Sequence, residues 1–254
     1  MKTIAFFNPK GGVGKTLHTK LFASYLAYGL GARVCVFDAE KDQRIIRQRG
    51  SDLRLMSDAG SYLARYLKSD PVGREPYDIR RLGEGVENYT ADYLERLTSD
   101  VWSFRAREDS VYDYVLFDFP ATFLEYSPAF ALISSGAVDL VAVPVDTDAD
   151  TRQEALIAVD LMRRNETKSV LFWNNVSADE VKRPGFLEFG EKIFRDNGFE
   201  FMPERVRSFV KARRDSDTLF FVKSTVCWPE KYIRLSCPYL IDFYAALKDR
   251  LDRV

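Results

Sequence analysis

An α/β fold with three layers, in which helices cover both faces of a mostly parallel sheet, is predicted for this chain of 254 residues. Short apolar runs such as 3–7, 33–37 and 138–143 alternate with segments whose apolar residues recur at helical spacing. Strands joined by crossover helices pair in parallel, with right-handed connections. Because this alternation continues without a repeat or a low-complexity segment, we expect one domain over 1–254.

A glycine-rich loop follows the first apolar run and reads Asn8-Pro9-Lys10-Gly11-Gly12-Val13-Gly14-Lys15-Thr16. Glycines allow backbone N–H groups to turn inward around a phosphate, and the following helix directs its positive end at the same anion. We expect Lys15 to contact the β- and γ-phosphates of a nucleotide and the hydroxyl of Thr16 to bind Mg²⁺.

The segment 10–16 resembles the deviant Walker A motif of the ParA/MinD family of P-loop ATPases, whose signature is the early lysine. The resemblance implies that Lys10 crosses a dimer interface to the partner subunit's nucleotide, and that Lys10 and Lys15 are catalytic. The loop residues expected to bind ATP or ADP are Lys10, Gly11, Gly12, Val13, Gly14, Lys15, Thr16 and Leu17. The chain departs from the usual motif at Pro9, where a glycine is usual, and at Leu17, where the family often has a second hydroxyl residue.

Two carboxylates, Asp38 and Glu40, follow the second apolar run and are expected beside the loop. The family usually reads Asp-x-Asp-Pro-Gln here, which implies that Asp38 is a catalytic and Mg²⁺-site residue and that Glu40 positions the hydrolytic water. The proline is absent and Gln43 comes one place late. Since catalysis is sensitive to misplacement by about 1 Å, we expect altered or slow hydrolysis with binding retained.

A second acidic strand end is predicted at Asp118, after the apolar run 112–117. The run resembles the Walker B segment of the family, which implies that Asp118 binds a Mg²⁺ water. The later strand 170–175 ends in Asn174 and Asn175, where the family places a polar residue against the adenine edge. Asn174 is the first choice for this role and Asn175 the second, and a turn-capping asparagine is the alternative.

A proline and a basic stretch follow farther along the chain. The resemblance places Pro203 against the base. It also implies contacts with DNA phosphates by the cations Arg205, Arg207, Lys211, Arg213 and Arg214. Such contacts are salt-sensitive and independent of sequence. Helix-surface charges balanced by nearby acids are an equal alternative.

Apolar spacing predicts the remaining elements. Helices are expected over 17–30, 123–134, 151–164, 184–197 and 236–254, and a strand over 138–143 ends at Pro144. The region 44–112 is interpreted as a variable helical insert with helices over 61–68 and 89–104 and a loop over 69–85. Its tyrosines and arginines suit a partner site, although a solvated amphipathic face is favoured. The closing helix, capped by Ser236, is interpreted as core packing rather than as a membrane helix.

Composition narrows the function classes. A net charge of −1 gives no global attraction to nucleic acid or anionic lipid, so such partners require a local patch. The single histidine, His18, is interpreted as a surface or packed side chain rather than a catalyst. The isolated thiols Cys35, Cys227 and Cys237 suit a reducing cytoplasm. The apolar run that precedes Asn8 is too short for a signal peptide or a membrane span.

The resemblance therefore implies a Mg²⁺-dependent ATPase of the ParA type that forms a homodimer when it binds ATP. A partner protein would activate it, and it would position a cargo such as plasmid, chromosome or mobile-element DNA. Two alternatives remain open. One is a metabolic enzyme that uses ATP to activate a carboxylate on the same fold. The other is a scaffold that binds ATP without hydrolysing it, which Glu40 and the missing proline favour.

Overall fold

The computed structural model of the protein describes residues 1–39, 44–57, 77–82, 89–121, 127–208 and 238–254. The strands within these ranges are β1 Lys2–Phe6, β2 Val34–Asp38, β3 Asp78–Arg81, β4 Tyr114–Asp118, β5 Leu140–Val145, β6 Ser169–Trp173 and β7 Glu200–Phe201. The α-helices are α1 Lys15–Ser24, α2 Arg44–Ser57, α3 Ala91–Glu108, α4 Pro128–Ser134, α5 Ala149–Arg164, α6 Ala178–Val181, α7 Phe186–Asp196 and α8 Pro238–Asp252. A π-helical turn, Tyr25–Gly29, continues α1.

These strands form one sheet in the order β3-β2-β4-β1-β5-β6-β7, and all the described pairings are parallel. Side chains of the central strand β1 alternate between two cores. Ile4 and Phe6 join the cluster that includes α1 and α8, whereas Ala5 joins the cluster that includes α3, α4, α5 and α7. Burial on both faces explains the continuous apolar runs, and the predicted three-layer α/β fold is confirmed.

Strand β3 was not anticipated, and the prediction of a loop over 69–85 is wrong at 78–81. The strand pairs in parallel with β2 at the edge of the sheet. Only Ile79 is partly buried, so the segment lacks the apolar alternation that identifies a strand. The Arg80 guanidinium lies 5.0 Å from the ring centre of Phe104, which fastens this charged edge to α3. The predicted helix over 61–68 lies outside the described residues.

Several predicted boundaries shift. Pro144 lies within β5 instead of ending it, although it pairs with Phe172 in a central part of the sheet. Helix α5 begins at Ala149 because the Asp148 side chain caps it. Helix α4 begins at Pro128 after the cap Ser127, and 122–126 lie outside the described residues.

The closing helix begins at Pro238, and its predicted cap Ser236 lies outside the described residues. Five residues of this helix are buried in the core cluster that includes α1, as expected for core packing: Leu240, Phe243, Tyr244, Leu247 and Leu251. Among the described helices, none combines the length and the apolar character that crossing a bilayer requires.

Candidate phosphate-loop site

The glycine-rich loop lies at the carboxyl edge of the sheet, between β1 and α1. The two strand-end carboxylates lie together on one side of it, because Asp38 and Asp118 are register partners on β2 and β4, and Phe6 at the end of β1 is opposite Asp118. Both carboxylates are fully buried. The structure thus brings together the loop and the two acidic strand ends that the sequence places far apart.

The loop backbone takes a conformation that glycine favours. Gly12 has φ +79° and Gly14 has φ +89°, in the left-handed region. Among the described residues, no atom lies within 4 Å of a Cβ built on Gly11 or Gly12, so this part of the loop is open with respect to them. A Cβ on Gly14 comes within 2.9 Å of Asn174 Nδ2, so this part is closely packed.

Asn8 holds the start of the loop, a role that the sequence analysis did not assign to it. Its buried side chain donates from Nδ2 to the Pro144 carbonyl at 2.9 Å and accepts at Oδ1 from the Lys10 N–H at 2.9 Å. An asparagine that bonds the backbone two residues onward is an Asx turn, and its sequence signal is the Asn-Pro pair after a strand.

The two loop lysines occupy different environments. Lys15 is buried, and its Nζ donates to the Lys10 carbonyl at 2.9 Å, which closes the loop on itself. The Lys10 side chain is 43% exposed, and its Nζ lies 3.7 Å from a carboxylate oxygen of Asp150, which is 76% exposed. Exposed pairs of this kind contribute little to stability, so Lys10 is held only weakly on the surface.

The acidic strand ends also have defined neighbours. Asp38 Oδ2 accepts from the N–H groups of Ile45 at 3.0 Å and Ile46 at 3.2 Å, in the first turn of α2. The Thr19 hydroxyl donates to the Lys15 carbonyl at 3.1 Å and lies 3.5 Å from Asp118 Oδ1. Thr16, the predicted Mg²⁺ ligand, is half-buried at the start of α1. Glu40 lies outside the described residues, as does Gln43.

Asn174 contacts the loop directly. Its Nδ2 donates to the Val13 carbonyl at 2.8 Å, and its Oδ1 lies 2.9 Å from His18 Nε2. Asn175 has φ +59°, an uncommon value that asparagine tolerates, and is half-buried. It lines a cavity of about 150 Å³ together with Gly12, Leu17 and Arg207. Asn174 lines the same cavity, with its amide engaged by Val13 and His18.

His18 is buried between aromatic rings, which agrees with its interpretation as a packed side chain. Its ring stacks on Phe6 with centroids 5.4 Å apart and meets Phe172 edge-on at 5.1 Å. Nδ1 lies 2.8 Å from the Tyr244 hydroxyl of α8. Burial lowers the pKa of the imidazole from 6.5 to about 4, and the hydrogen bond with Asn174 opposes this shift only in part. The ring is therefore neutral near pH 7.

The structure describes Pro203 and two of the cations that were predicted to contact DNA, Arg205 and Arg207. Pro203 is exposed and is not among the residues that line the cavity beside the loop. Arg205, 28% exposed, forms ion pairs with Glu188 at 3.2 Å and with the buried Glu191 at 3.0 Å. Arg205 thus fastens its loop to α7, and Arg207 is exposed. The remaining predicted cations, which lie outside the described residues, are Lys211, Arg213 and Arg214.

No protein-family model matches the sequence, and no curated protein matches it either. Solved structures do share the fold. The MinC:MinD cell division protein complex of Aquifex aeolicus aligns with a TM-score of 0.61 at 19% identity, over 89% of this chain and 91% of that chain. Apo McdA from Cyanthece aligns with a TM-score of 0.58 at 13% identity, over 89% and 95%.

The pNOB8 ParA structure aligns with a TM-score of 0.54 at 15% identity, over 85% of this chain and 78% of that chain. These likenesses confirm the resemblance to the ParA/MinD fold that the loop motif predicted. At such low identities, they show the fold alone.

Proposed function

We propose that the chain is an ATPase of the ParA type, an ATP-dependent dimerising switch that partitions or positions a cargo. The observation that carries this proposal is the position of the loop 10–16 beside the neighbouring strand ends Asp38 and Asp118, on a sheet with the ParA/MinD fold. A nucleotide-binding protein of Archaeoglobus fulgidus in complex with ADP has the same fold, with a TM-score of 0.54 at 19% identity over 85% of each chain. This likeness supports ATP or ADP as the ligand.

The roles of the loop residues follow from their positions. We expect Lys15 to exchange the Lys10 carbonyl for a phosphate oxygen, since an ammonium binds phosphate more strongly than it binds a neutral carbonyl. The backbone N–H groups of Gly11 and Gly12, in the open half of the loop, would contact the same phosphates. Leu17 and Asn175, which line the adjoining cavity, are placed to contact the sugar or base.

The residues around the loop suit a magnesium nucleotide. Across the described parts of the chain, no group of three or more His, Cys, Asp or Glu residues could hold a metal ion. Magnesium instead commonly takes one or two carboxylates together with substrate phosphates and waters, a set that Thr16, Asp38 and Asp118 can complete. When bound, the ion neutralises charge that develops on the phosphates. Asp38, tied to the first turn of α2, would then link the nucleotide state to that helix.

Dimerisation is proposed to depend on Lys10. Its side chain is 43% exposed, and its ion pair among the described residues is the exposed one with Asp150 at 3.7 Å, so it can reach a facing subunit at small cost. Removal of the γ-phosphate would remove its partner and release the dimer. The nucleotide would in this way time the association of two subunits, in the cytoplasm and under the control of an activating protein.

The test is ATP-dependent dimerisation measured by light scattering. Lys10→Ala is expected to abolish the dimer and to leave binding of ATP by the monomer largely intact. Lys168→Ala, which removes an exposed lysine at the opposite edge of the sheet, serves as the matched control and should dimerise like the wild type. A Lys10→Ala protein that still dimerises on ATP contradicts the mechanism.

A DNA cargo is supported by one further likeness. The structure of pNOB8 ParA bound to nonspecific DNA aligns with a TM-score of 0.51 at 16% identity, over 85% of this chain and 83% of that chain. In this chain we propose Arg207 as a phosphate contact, with Lys211, Arg213 and Arg214 as further candidates. Because Arg205 is paired with two glutamates, we expect it to contribute least.

A scaffold that binds ATP without hydrolysing it is the second candidate function. It is favoured by Glu40, which stands where the family has an aspartate, and by the absence of the proline that usually follows. Phosphate release by the wild type and by Glu40→Ala separates the two functions. Equal release from two proteins that both bind ATP favours the scaffold, and a fall in the variant favours slow hydrolysis.

A further inference from the structure

A continuous row of hydrogen bonds runs from the closing helix α8 to the glycine-rich loop. The Tyr244 hydroxyl contacts His18 Nδ1 at 2.8 Å, His18 Nε2 contacts Asn174 Oδ1 at 2.9 Å, and Asn174 Nδ2 contacts the Val13 carbonyl at 2.8 Å. All three side chains are buried. The row joins α8, α1 and the end of β6 to one peptide of the loop.

The direction of every bond in this row follows from its last member. A carbonyl only accepts, so the Asn174 amide must present its nitrogen to Val13 and its oxygen to His18. The imidazole must then carry its proton on Nε2 and donate it to Asn174. Nδ1 is left as an acceptor, and the Tyr244 hydroxyl donates to it. Each side chain therefore sets the orientation of the next.

The row acts on one peptide group of the loop. In a planar trans peptide, the carbonyl of one residue and the N–H of the next point in opposite directions. Holding the Val13 carbonyl against Asn174 therefore directs the Gly14 N–H away from Asn174. Gly14 also lacks the side chain that would displace the amide, since its Cβ would lie 2.9 Å from Asn174 Nδ2.

The fold anchors Tyr244 and Asn174, the first and last of the three side chains in the row. The backbone N–H of Asn174 donates to the Val145 carbonyl at 2.7 Å. This bond fixes the Asn174 backbone, from which the amide side chain extends, against the end of β5. The ring of Tyr244 stacks on Phe22 of α1 with centroids 5.4 Å apart and meets Phe243 at 5.1 Å. The imidazole between them is confined by the rings of Phe6 and Phe172, so little side-chain freedom remains to be lost when the loop is ordered.

We infer that His18, Asn174 and Tyr244 are positioning residues that set the orientation of the Val13–Gly14 peptide and couple it to the docking of α8. The inference deepens the proposed nucleotide site and rests on it for the identity of the ligand. It gives Asn174 a role at the phosphates rather than at the base. It also makes the packing of α8, which lies far from the loop in sequence, a determinant of phosphate affinity.

The ligand-free protein tests the geometry by nuclear magnetic resonance. Since the chain has one histidine, the imidazole nitrogens give the signals of a single residue. We expect a neutral ring protonated at Nε2, and a Gly14 amide signal that moves in Asn174→Asp and in Tyr244→Phe. The matched control is Tyr114→Phe, which removes a hydroxyl bond of 2.9 Å to Asp252 on the same helix α8. A ring protonated at Nδ1, or a Gly14 signal unmoved in Asn174→Asp, overturns the inference.

Binding of a fluorescent ATP analogue tests the consequence. Asn174→Asp keeps the shape of the side chain but cannot donate to Val13, and we expect about tenfold weaker binding; for Tyr244→Phe we expect about threefold. His18→Gln, which retains a donor, should bind more tightly than His18→Leu. Circular dichroism confirms that each variant is folded, and Tyr114→Phe should bind like the wild type.

Competition with inorganic triphosphate separates positioning from base recognition. Asn174→Asp should weaken displacement by ATP and by triphosphate by the same factor, because the row acts on the loop. Loss of ATP affinity with unchanged triphosphate affinity would make Asn174 a base-contacting residue and overturn the inference. If the wild type binds no nucleotide, the proposed function fails, and the ring tautomer and the Gly14 signal still decide on the positioning residues.

Discussion

The two halves of the glycine-rich loop differ in what surrounds them. In the described parts of the chain, no atom lies where a side chain on Gly11 or Gly12 would stand, and the side chain of Lys10 beside them is exposed. Val13 and Gly14 are held by Asn174, within a buried network that extends to α8. The open half has room for a ligand and a partner, whereas the packed half takes its shape from the rest of the fold.

The largest effect that this comparison predicts concerns Lys15, the buried lysine that follows directly after Gly14 in the packed half. Lys15→Ala should weaken binding of a fluorescent ATP analogue about a hundredfold, because a charged hydrogen-bond donor to phosphate is lost. Lys10→Ala, in the open half, should bind the analogue nearly as tightly as the wild type when the protein is monomeric. Equal losses in the two variants would remove the distinction between the two lysines.

A smaller effect is expected on stability when the two glycines are compared. Gly14→Ala should lower the free energy of unfolding by about 2 kcal/mol, because alanine is strained at positive φ and its Cβ displaces Asn174. Gly11→Ala should change it by less than about 0.5 kcal/mol, since none of the described atoms lies within 4 Å of the added Cβ. Urea denaturation measures both. A Gly11→Ala protein as unstable as Gly14→Ala would show that the open half is packed as well.

The smallest effect is expected at the ion pair of the open half. Asp150→Asn removes the partner of Lys10, yet the pair is exposed and its atoms are 3.7 Å apart. We therefore expect a change in the free energy of unfolding below about 0.5 kcal/mol. Thermal unfolding of the variant beside the wild type measures it. A loss above 1 kcal/mol, as a charged hydrogen bond gives, would mean that Lys10 is held in place rather than mobile.

Local sequence patterns were sufficient for most of the sheet and for the loop. Strands β1, β2, β4, β5 and β6 are buried on both faces, so each is a continuous apolar run that can be recognised on its own. Strand β3 was missed because an edge strand with exposed charged residues carries no such run. Asp38 and Asp118 were found because a carboxylate directly ends each strand.

The packed half of the loop was not predictable in this way. His18 lies 226 residues from Tyr244 and 156 residues from Asn174, and no local spacing relates them. Asn174 was identified as a site residue, but its contact with the Val13 carbonyl depends on the register of β6 against β5. Arg205 was counted among the cations expected to contact DNA phosphates, and its pairing with Glu188 and Glu191 depends on how α7 packs.

By itself, the sequence determined that a glycine-rich loop follows the first strand and that carboxylates end the strands at Asp38 and Asp118. These features are encoded by neighbouring residues through glycine conformations and apolar periodicity. Only the tertiary structure decided which half of the loop is held and by which side chains. The physical reason is that a buried donor or acceptor must find a partner in space, and that partner is supplied by distant segments once the core has packed.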